Sequence, residues 1–220
     1  CWQMNVTAVE NQVKTLESLK NKNYNPHFIH LSTDFIFDGT HGPLDENENP
    51  NPLSYYAESK LAAEKIVQAS ALDWAIARTV LVFGIVDNMS RSNIVLWVKS
   101  NLEQGKTINV VDDQFRTPTL AEDLAAGCIL IAEKKARGIY NISGKDFLSI
   151  LDLANLVADY YGLDKTLIRP SKSADIKQPA KRPPITGFII DKAVKELNYH
   201  PHSFTEGIKI LQDQINAMGK

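Results

Sequence analysis

Apolar positions recur at helical spacing from the start of the chain. Val6, Val9, Val13, Leu16 and Leu19 predict a helix from Met4 to Lys20, which stops in the polar stretch Asn21 to Pro26. The next segment, His27 to Ser32, is short and β-prone, and Thr33 and Asp34 follow it. Turn-forming residues then run from Gly39 to Ser54; with Pro43, Pro50 and Pro52 they can be neither helix nor central strand. A loop of that length in a compact domain is often functional. Tyr56 to Ala69, rich in Ala, Glu, Lys and Leu, predicts a helix, and Trp74 to Phe83, ended by Gly84, predicts a strand.

The same alternation continues to the far end. Asn93 to Gln104 reads as a helix closed by Gly105, and Ile108 to Val111 as a short strand. Three pairs have the form of capping boxes: Thr119 with Glu122, Ser149 with Asp152, and Ser203 with Glu206. The first opens a helix through about Glu133 and the others open two later helices. A strand with glycine stops lies from Gly138 to Gly144, and Ser171 to Pro184 reads as an exposed loop. No internal repeat or low-complexity tail occurs. Strands alternating with helices predict an α/β fold with a parallel, doubly wound sheet, in which ligands sit beyond the carboxyl ends of the strands.

Composition narrows the classes. The 220 residues, 44% hydrophobic and 23% charged, suit one or two soluble globular domains. A net charge of -2 without a Lys/Arg block gives no sign of a nucleic-acid or anionic-membrane surface. No apolar run approaches the roughly 18 residues of a membrane span. Two cysteines, Cys1 and Cys128, make no disulfide framework, so a reducing, cytoplasmic setting is expected. Cys128 reads as core. His27, His41, His200 and His202 lack ligand spacing, so no metal site is expected. His30, Trp74 and Trp97 read as packing residues.

The chemistry centres on Tyr56 and Lys60, a YxxxK pair whose i,i+4 spacing puts both side chains on one helix face. A free phenol titrates near 10, too high for efficient proton exchange at neutral pH, and a nearby ammonium lowers that value. Ser32 and Thr33 emerge at a strand end, where a hydroxyl can orient a carbonyl oxygen that a tyrosine protonates. Asp34, Arg116, Lys181 and Arg182 are further candidates: Asp34 beside the substrate, the cations toward a diphosphate. For Arg116 a surface role is an equal alternative.

STDFIFDG, the Pro-rich loop and PLSYYAESKLAAEK resemble the extended short-chain dehydrogenase/reductases, in particular the dTDP-4-dehydrorhamnose reductase branch. ARTVLVFG, VVDDQFRTPT and RPPITGFIIDKAVKEL continue the likeness in order, over nearly the whole chain. The resemblance implies that Thr33, Tyr56 and Lys60 are catalytic and that Ser32, Thr33, Tyr56 and Lys60 bind the cofactor. It assigns Asp34, Arg116 and Arg182 to the substrate. It implies hydride transfer from NADPH or NADH to a nucleotide-linked 4-keto sugar, and a homodimer. Its alternatives are an epimerase or dehydratase with tightly held NAD, or a regulatory subunit resembling the β subunit of methionine adenosyltransferase. The departures are Ser54, Ala57, Leu81 where the branch often has an aromatic facing the sugar, and Arg116.

Residues 1–84 and 119–142 are expected to form the cofactor side, and residues 85–118 and 143–220 the substrate side. Met4-Asn5-Val6 resembles a helix well inside the family's cofactor domain, and no GxxGxxG-like turn occurs between Cys1 and Lys220. The expectation is therefore a chain lacking the first βαβ units, where the pyrophosphate would be received.

Overall fold

The computed structural model of the chain describes residues 1–20, 24–86, 92–176 and 180–218. Parts of the polar stretch after the first helix and of the Ser171–Pro184 loop lie outside them. A π-helical turn, Gln3–Thr7, runs into α1 (Ala8–Lys20). Then come β1 (His27–Thr33), a 3-10 turn (Asp34–Ile36), α2 (Tyr55–Ala69) and β2 (Asp73–Thr79). β3 (Val82–Phe83), α3 (Ile94–Glu103), β4 (Ile108–Val111), β5 (Phe115–Arg116), β6 (Thr119–Leu120) and α4 (Ala121–Glu133) follow. The chain continues with β7 (Gly138–Asn141), β8 (Leu148–Ser149), α5 (Ile150–Tyr161) and β9 (Ile168–Ser171). It closes with α6 (Asp191–Leu197) and α7 (Phe204–Met218).

β1, β2 and β7 form a parallel sheet in that order, with Thr33 opposite Thr79 at the carboxyl ends. Helices cover both faces. Val9, Val13, Ala63 and Val67 of α1 and α2 meet Ile76, while Ala75 and Ala77 on the opposite face meet Ile131 of α4 and Leu197 of α6. That two-sided burial is why β2 reads as a nearly continuous apolar run. A second core joins α3, α5 and α7 to β4 through Val95, Val98, Val157, Ile208 and Leu211. The α/β fold with parallel strands is as expected from the alternation. α6, which the expected boundaries assign to the substrate side, packs on the sheet.

Three local expectations change. Trp74 to Phe83 is not one strand: β2 ends at Thr79, and Leu81 takes φ 38°, a left-handed backbone that breaks the extended run before β3. Thr119 does not cap α4. It lies in β6 and its Oγ1 donates to the Val80 carbonyl at 2.7 Å, while Leu120 occupies the cap position without a side-chain bond. The Val80 carbonyl, between β2 and β3, thus takes the hydroxyl that a cap would use. The other two boxes form, Ser149 with Asp152 reciprocally, and Ser203 with Glu206 through Ser203 N at 2.7 Å and Glu206 N at 3.3 Å. β9 occupies the start of the expected loop because its apolar Ile168 pairs beside Ile108 of β4. Among the described residues no helix is long and apolar enough to cross a membrane.

Candidate active site

Thr33 ends β1, and its Oγ1 accepts from Phe35 N at 3.3 Å, which starts the 3-10 turn and bends the chain away from the sheet. Ser54 caps α2 by accepting from Ala57 N at 3.3 Å, so Tyr56 lies in the first helical turn. Lys60 follows one turn later and donates to the Leu31 carbonyl at 2.6 Å. The Phe35 ring meets Tyr56 edge-on, with centroids 6.3 Å apart. Two local rules, a strand end and a capped helix start, thereby converge on one spot.

The electrostatics differ from the sequence expectation. Tyr56 is held above its ordinary value of 10.0, chiefly by burial; the Thr33 hydroxyl opposes that rise and the Asp34 carboxylate adds to it. Lys60, whose ammonium is bonded to the Leu31 carbonyl, does not offset the rise. Burial lowers the Lys60 pKa, and Glu64, one turn further along α2, opposes the fall. The phenol therefore carries its proton at neutral pH, and burial makes that proton harder to release.

A cavity of about 690 Å³, within the usual range for small-molecule sites, opens at this point. Thr33, Phe35, Tyr56, Leu81, Trp97 and Arg182 are on its wall, as are Asp34 and Arg116. Ser32 and Lys60 are not on that wall. Trp97, expected as a packing residue, instead contributes to the cavity with 38% of its surface exposed. Leu81 owes its place there to the left-handed backbone at the β2–β3 break.

Asp34 and Arg116 line the cavity but turn their polar atoms inward. Arg116 is only 3% exposed, which excludes the surface role. Its Nη1 donates to the Phe115 and Pro184 carbonyls at 2.7 and 2.9 Å, its Nη2 to the Pro183 carbonyl at 2.7 Å, and its Nε lies 3.6 Å from Asp34 Oδ2. Those bonds hold three of the five guanidinium N–H groups on main-chain carbonyls. Asp34 also accepts from the Thr186 hydroxyl, and from Thr33 Oγ1 at 3.1 Å. Burial raises the Asp34 pKa, against the pull of Arg116, Thr186 and Thr33. Asp34 is thus an internal anchor. Arg182, exposed on the same cavity, is the cation placed to meet an anion. Lys181 is exposed as well, outside the cavity wall.

Several contributors escaped the sequence reading. Asn5 Nδ2 donates to Ser59 Oγ at 2.9 Å, and Ser59 Oγ donates to the Tyr56 carbonyl at 2.7 Å, tying the first helix to the Tyr56 turn. Glu64 receives both Arg78 Nε at 3.1 Å and Arg78 Nη2 at 2.8 Å, a buried fork that fastens α2 to β2. A lone arginine inside the apolar run Trp74 to Phe83 was the available signal for that pair. Thr186 gave none.

For a nicotinamide cofactor the residues fit one end. On β1, His30 Nε2 and Ser32 Oγ are buried without hydrogen-bond partners among the described residues, on either side of Leu31, whose carbonyl Lys60 grips, and orphaned polar atoms of this kind suit a polar group seated there. Tyr56 and Lys60 can serve ribose hydroxyls. His30 is otherwise the packing residue expected, its pKa pushed down to about 4 by burial and then by Lys60. Among the described residues no group of three His, Cys, Asp or Glu side chains is placed to hold a metal.

A parallel sheet with helices on both faces, a hydroxyl at one strand end and a Tyr/Lys pair on the next helix define a protein of the short-chain dehydrogenase/reductase type, with a Rossmann-like fold. The chain belongs to the RmlD substrate binding domain family, whose profile matches residues 3–217. It is 33% identical over 158 residues to the probable low-salt glycan biosynthesis reductase Agl14 of Haloferax volcanii, covering 71% of this chain and 53% of that protein. It is 30% identical over 173 residues to methionine adenosyltransferase 2 subunit beta of Bos taurus, covering 76% and 50%. The chain thus spans about half the length of the curated relatives it matches. The fold is similar to that of dTDP-4-dehydrorhamnose reductase from Bacillus anthracis str. Ames in complex with NADP. The TM-score is 0.83 at 23% identity, over 96% of this chain and 72% of that one.

Proposed function

We propose that the protein carrying this chain reduces a nucleotide-linked 4-keto sugar at the expense of NADPH or NADH, with NADPH the preferred donor. The observation that carries the reading is the meeting of Thr33, protonated Tyr56 and exposed Arg182 on one cavity. Tyr56 gives its proton to the alkoxide that develops on the keto oxygen and regains one from solvent, to which it is 40% exposed. Thr33 orients that oxygen when its hydroxyl proton turns to it from Asp34 Oδ1, and Lys60 holds the ribose while fixed to the Leu31 carbonyl. A bound dihydronicotinamide supplies the hydride to the carbon. Arg182 attracts the diphosphate. Residues 1–84 and 119–142 serve the cofactor and residues 85–118 and most of 143–220 the substrate, in a cytoplasmic homodimer.

An epimerase or a dehydratase would use the same Tyr56 and Lys60, and net consumption of reduced nicotinamide separates them from a reductase. A second reading, a cofactor-binding regulatory subunit, draws support from the 30% identity to methionine adenosyltransferase 2 subunit beta. The test is oxidation of reduced nicotinamide by the purified protein with a panel of nucleotide 4-keto sugars. Tyr56→Phe is expected to lower kcat by at least about a hundredfold while cofactor affinity falls by no more than about tenfold, the loss of one hydrogen bond. Unchanged turnover removes Tyr56 from the chemistry. No turnover with any sugar, together with copurification of a larger partner, supports the regulatory subunit.

A further inference from the structure

Arg116 stands between the anion-facing loop and the tyrosine. On one side its fork reaches the carbonyls of Pro183 and Pro184, the two residues that follow Arg182. Prolines lack an N–H, so at these two positions the carbonyl is the only main-chain group that can be gripped. Flanking bonds complete the hold: Phe115 N donates to the Pro184 carbonyl at 2.8 Å, Ile185 N to the Gly39 carbonyl at 3.1 Å, and Thr186 N to the Phe115 carbonyl at 3.2 Å. On the other side the guanidinium lies over the Phe35 ring, 5.8 Å from its centroid, and that ring meets Tyr56. Asp34 closes the unit through the Arg116 Nε and the Thr186 hydroxyl.

We propose that Arg116, held by Asp34, is a positioning residue that fixes the Pro183–Pro184 backbone so that Arg182 faces the diphosphate of a ligand in the Tyr56 cavity. The inference rests on the reading of the substrate as a nucleotide-linked sugar. Charge supports the division of labour. Asp34 sits against Arg116 inside the wall, and among the described residues on the cavity Arg182 is the exposed cation. A lysine at 116 keeps the charge but cannot reproduce a planar fork that spans three carbonyls.

The test is calorimetric titration of the purified protein with UDP and with dTDP, using the wild type, Arg182→Gln, Arg116→Lys and the double variant. Each single change is expected to weaken binding by about tenfold or more, as for loss of a charged hydrogen bond. The double variant is expected to bind no more weakly than Arg182→Gln alone, because Arg116 acts only through Arg182. A general structural loss would multiply the two effects instead. Asp34→Asn replaces Arg116→Lys if the latter does not fold, and should give the same non-additive cycle. Unchanged affinity in Arg116→Lys, or multiplied losses in the double variant, overturns the positioning role while leaving the nucleotide-sugar reading intact. Failure of the wild type to bind either diphosphate overturns both.

Discussion

The buried fork between Arg78 and Glu64 fastens the helix that carries Tyr56 and Lys60 to the central strand, so its loss should be felt in both stability and catalysis. The two side chains are 3% and 0% exposed. Arg78 also donates to the Glu46 carbonyl at 3.4 Å and lies over the Phe37 ring at 5.3 Å. Removing one partner leaves a buried charge without compensation, which costs about 3–5 kcal/mol. Glu64→Gln should fall near the lower end, about 3 kcal/mol, since the amide oxygen still accepts one bond. Arg78→Met should cost about 4 kcal/mol, because the Glu46 and Phe37 contacts go with the charge. For a chain of this size either change lowers Tm by about 10 °C. The double variant Glu64→Leu/Arg78→Met removes both charges and should return to within about 1 kcal/mol of the wild type. Urea unfolding followed by circular dichroism of the wild type, Glu64→Leu, Arg78→Met and the double variant measures the four corners of the cycle. Single losses below about 1 kcal/mol, or a double loss equal to the sum of the singles, would refute the assignment of a coupled buried pair.

Other consequences follow from single positions. His30, held neutral with its pKa depressed from 6.5 to about 4, binds its proton more tightly in the unfolded chain. Stability is therefore complete above about 6.5 and falls as pH drops toward about 4, by about 3 kcal/mol in all. Asp34 and Glu46 have raised values, which give the opposite slope. His30→Leu should flatten the decline in unfolding titrations between pH ~6.5 and ~4.5, and an unchanged slope would reject His30 as its source. At Gly144 an added Cβ would overlap the Pro118 carbonyl oxygen. Gly144→Ala should cost about 3 kcal/mol in denaturant unfolding, and a loss under about 1 kcal/mol would show that the backbone yields. Ser149→Ala removes the reciprocal cap of α5. A loss of about 1 kcal/mol with unchanged m-value is expected, and no loss would mean that water replaces the cap.

Much of this arrangement was legible along the chain because it depends on neighbours in sequence. The i,i+4 spacing of Tyr56 and Lys60 holds on any α-helix. The boxes at Ser149 and Ser203 need only residues three apart, and they formed. Thr119 failed the same reading because its hydroxyl had a second suitor, the Val80 carbonyl, 39 residues away in sequence. Trp74 to Phe83 failed as one strand for a related reason. Apolar residues on both sides of a break look continuous, and only φ at Leu81 reveals the turn. Arg116 and Arg182 look alike in sequence, yet one is buried against three carbonyls and the other is exposed on the cavity.

The sequence by itself determined most of the longer helices, the alternation that makes a parallel sheet, and the spacing of the strand-end hydroxyl and the Tyr/Lys pair. Each of these is a matter of short-range periodicity and of where strands end. Only the tertiary structure decided what each polar group faces. Burial holds the Tyr56 phenol up, where spacing suggested that Lys60 would pull it down, and the Leu31 carbonyl takes the ammonium. Asp34 and Arg116 become an internal unit because Thr186, 152 residues from Asp34, folds back beside them. A pKa or a hydrogen-bond partner depends on the atoms within a few ångströms in space, and the linear pattern does not specify those atoms.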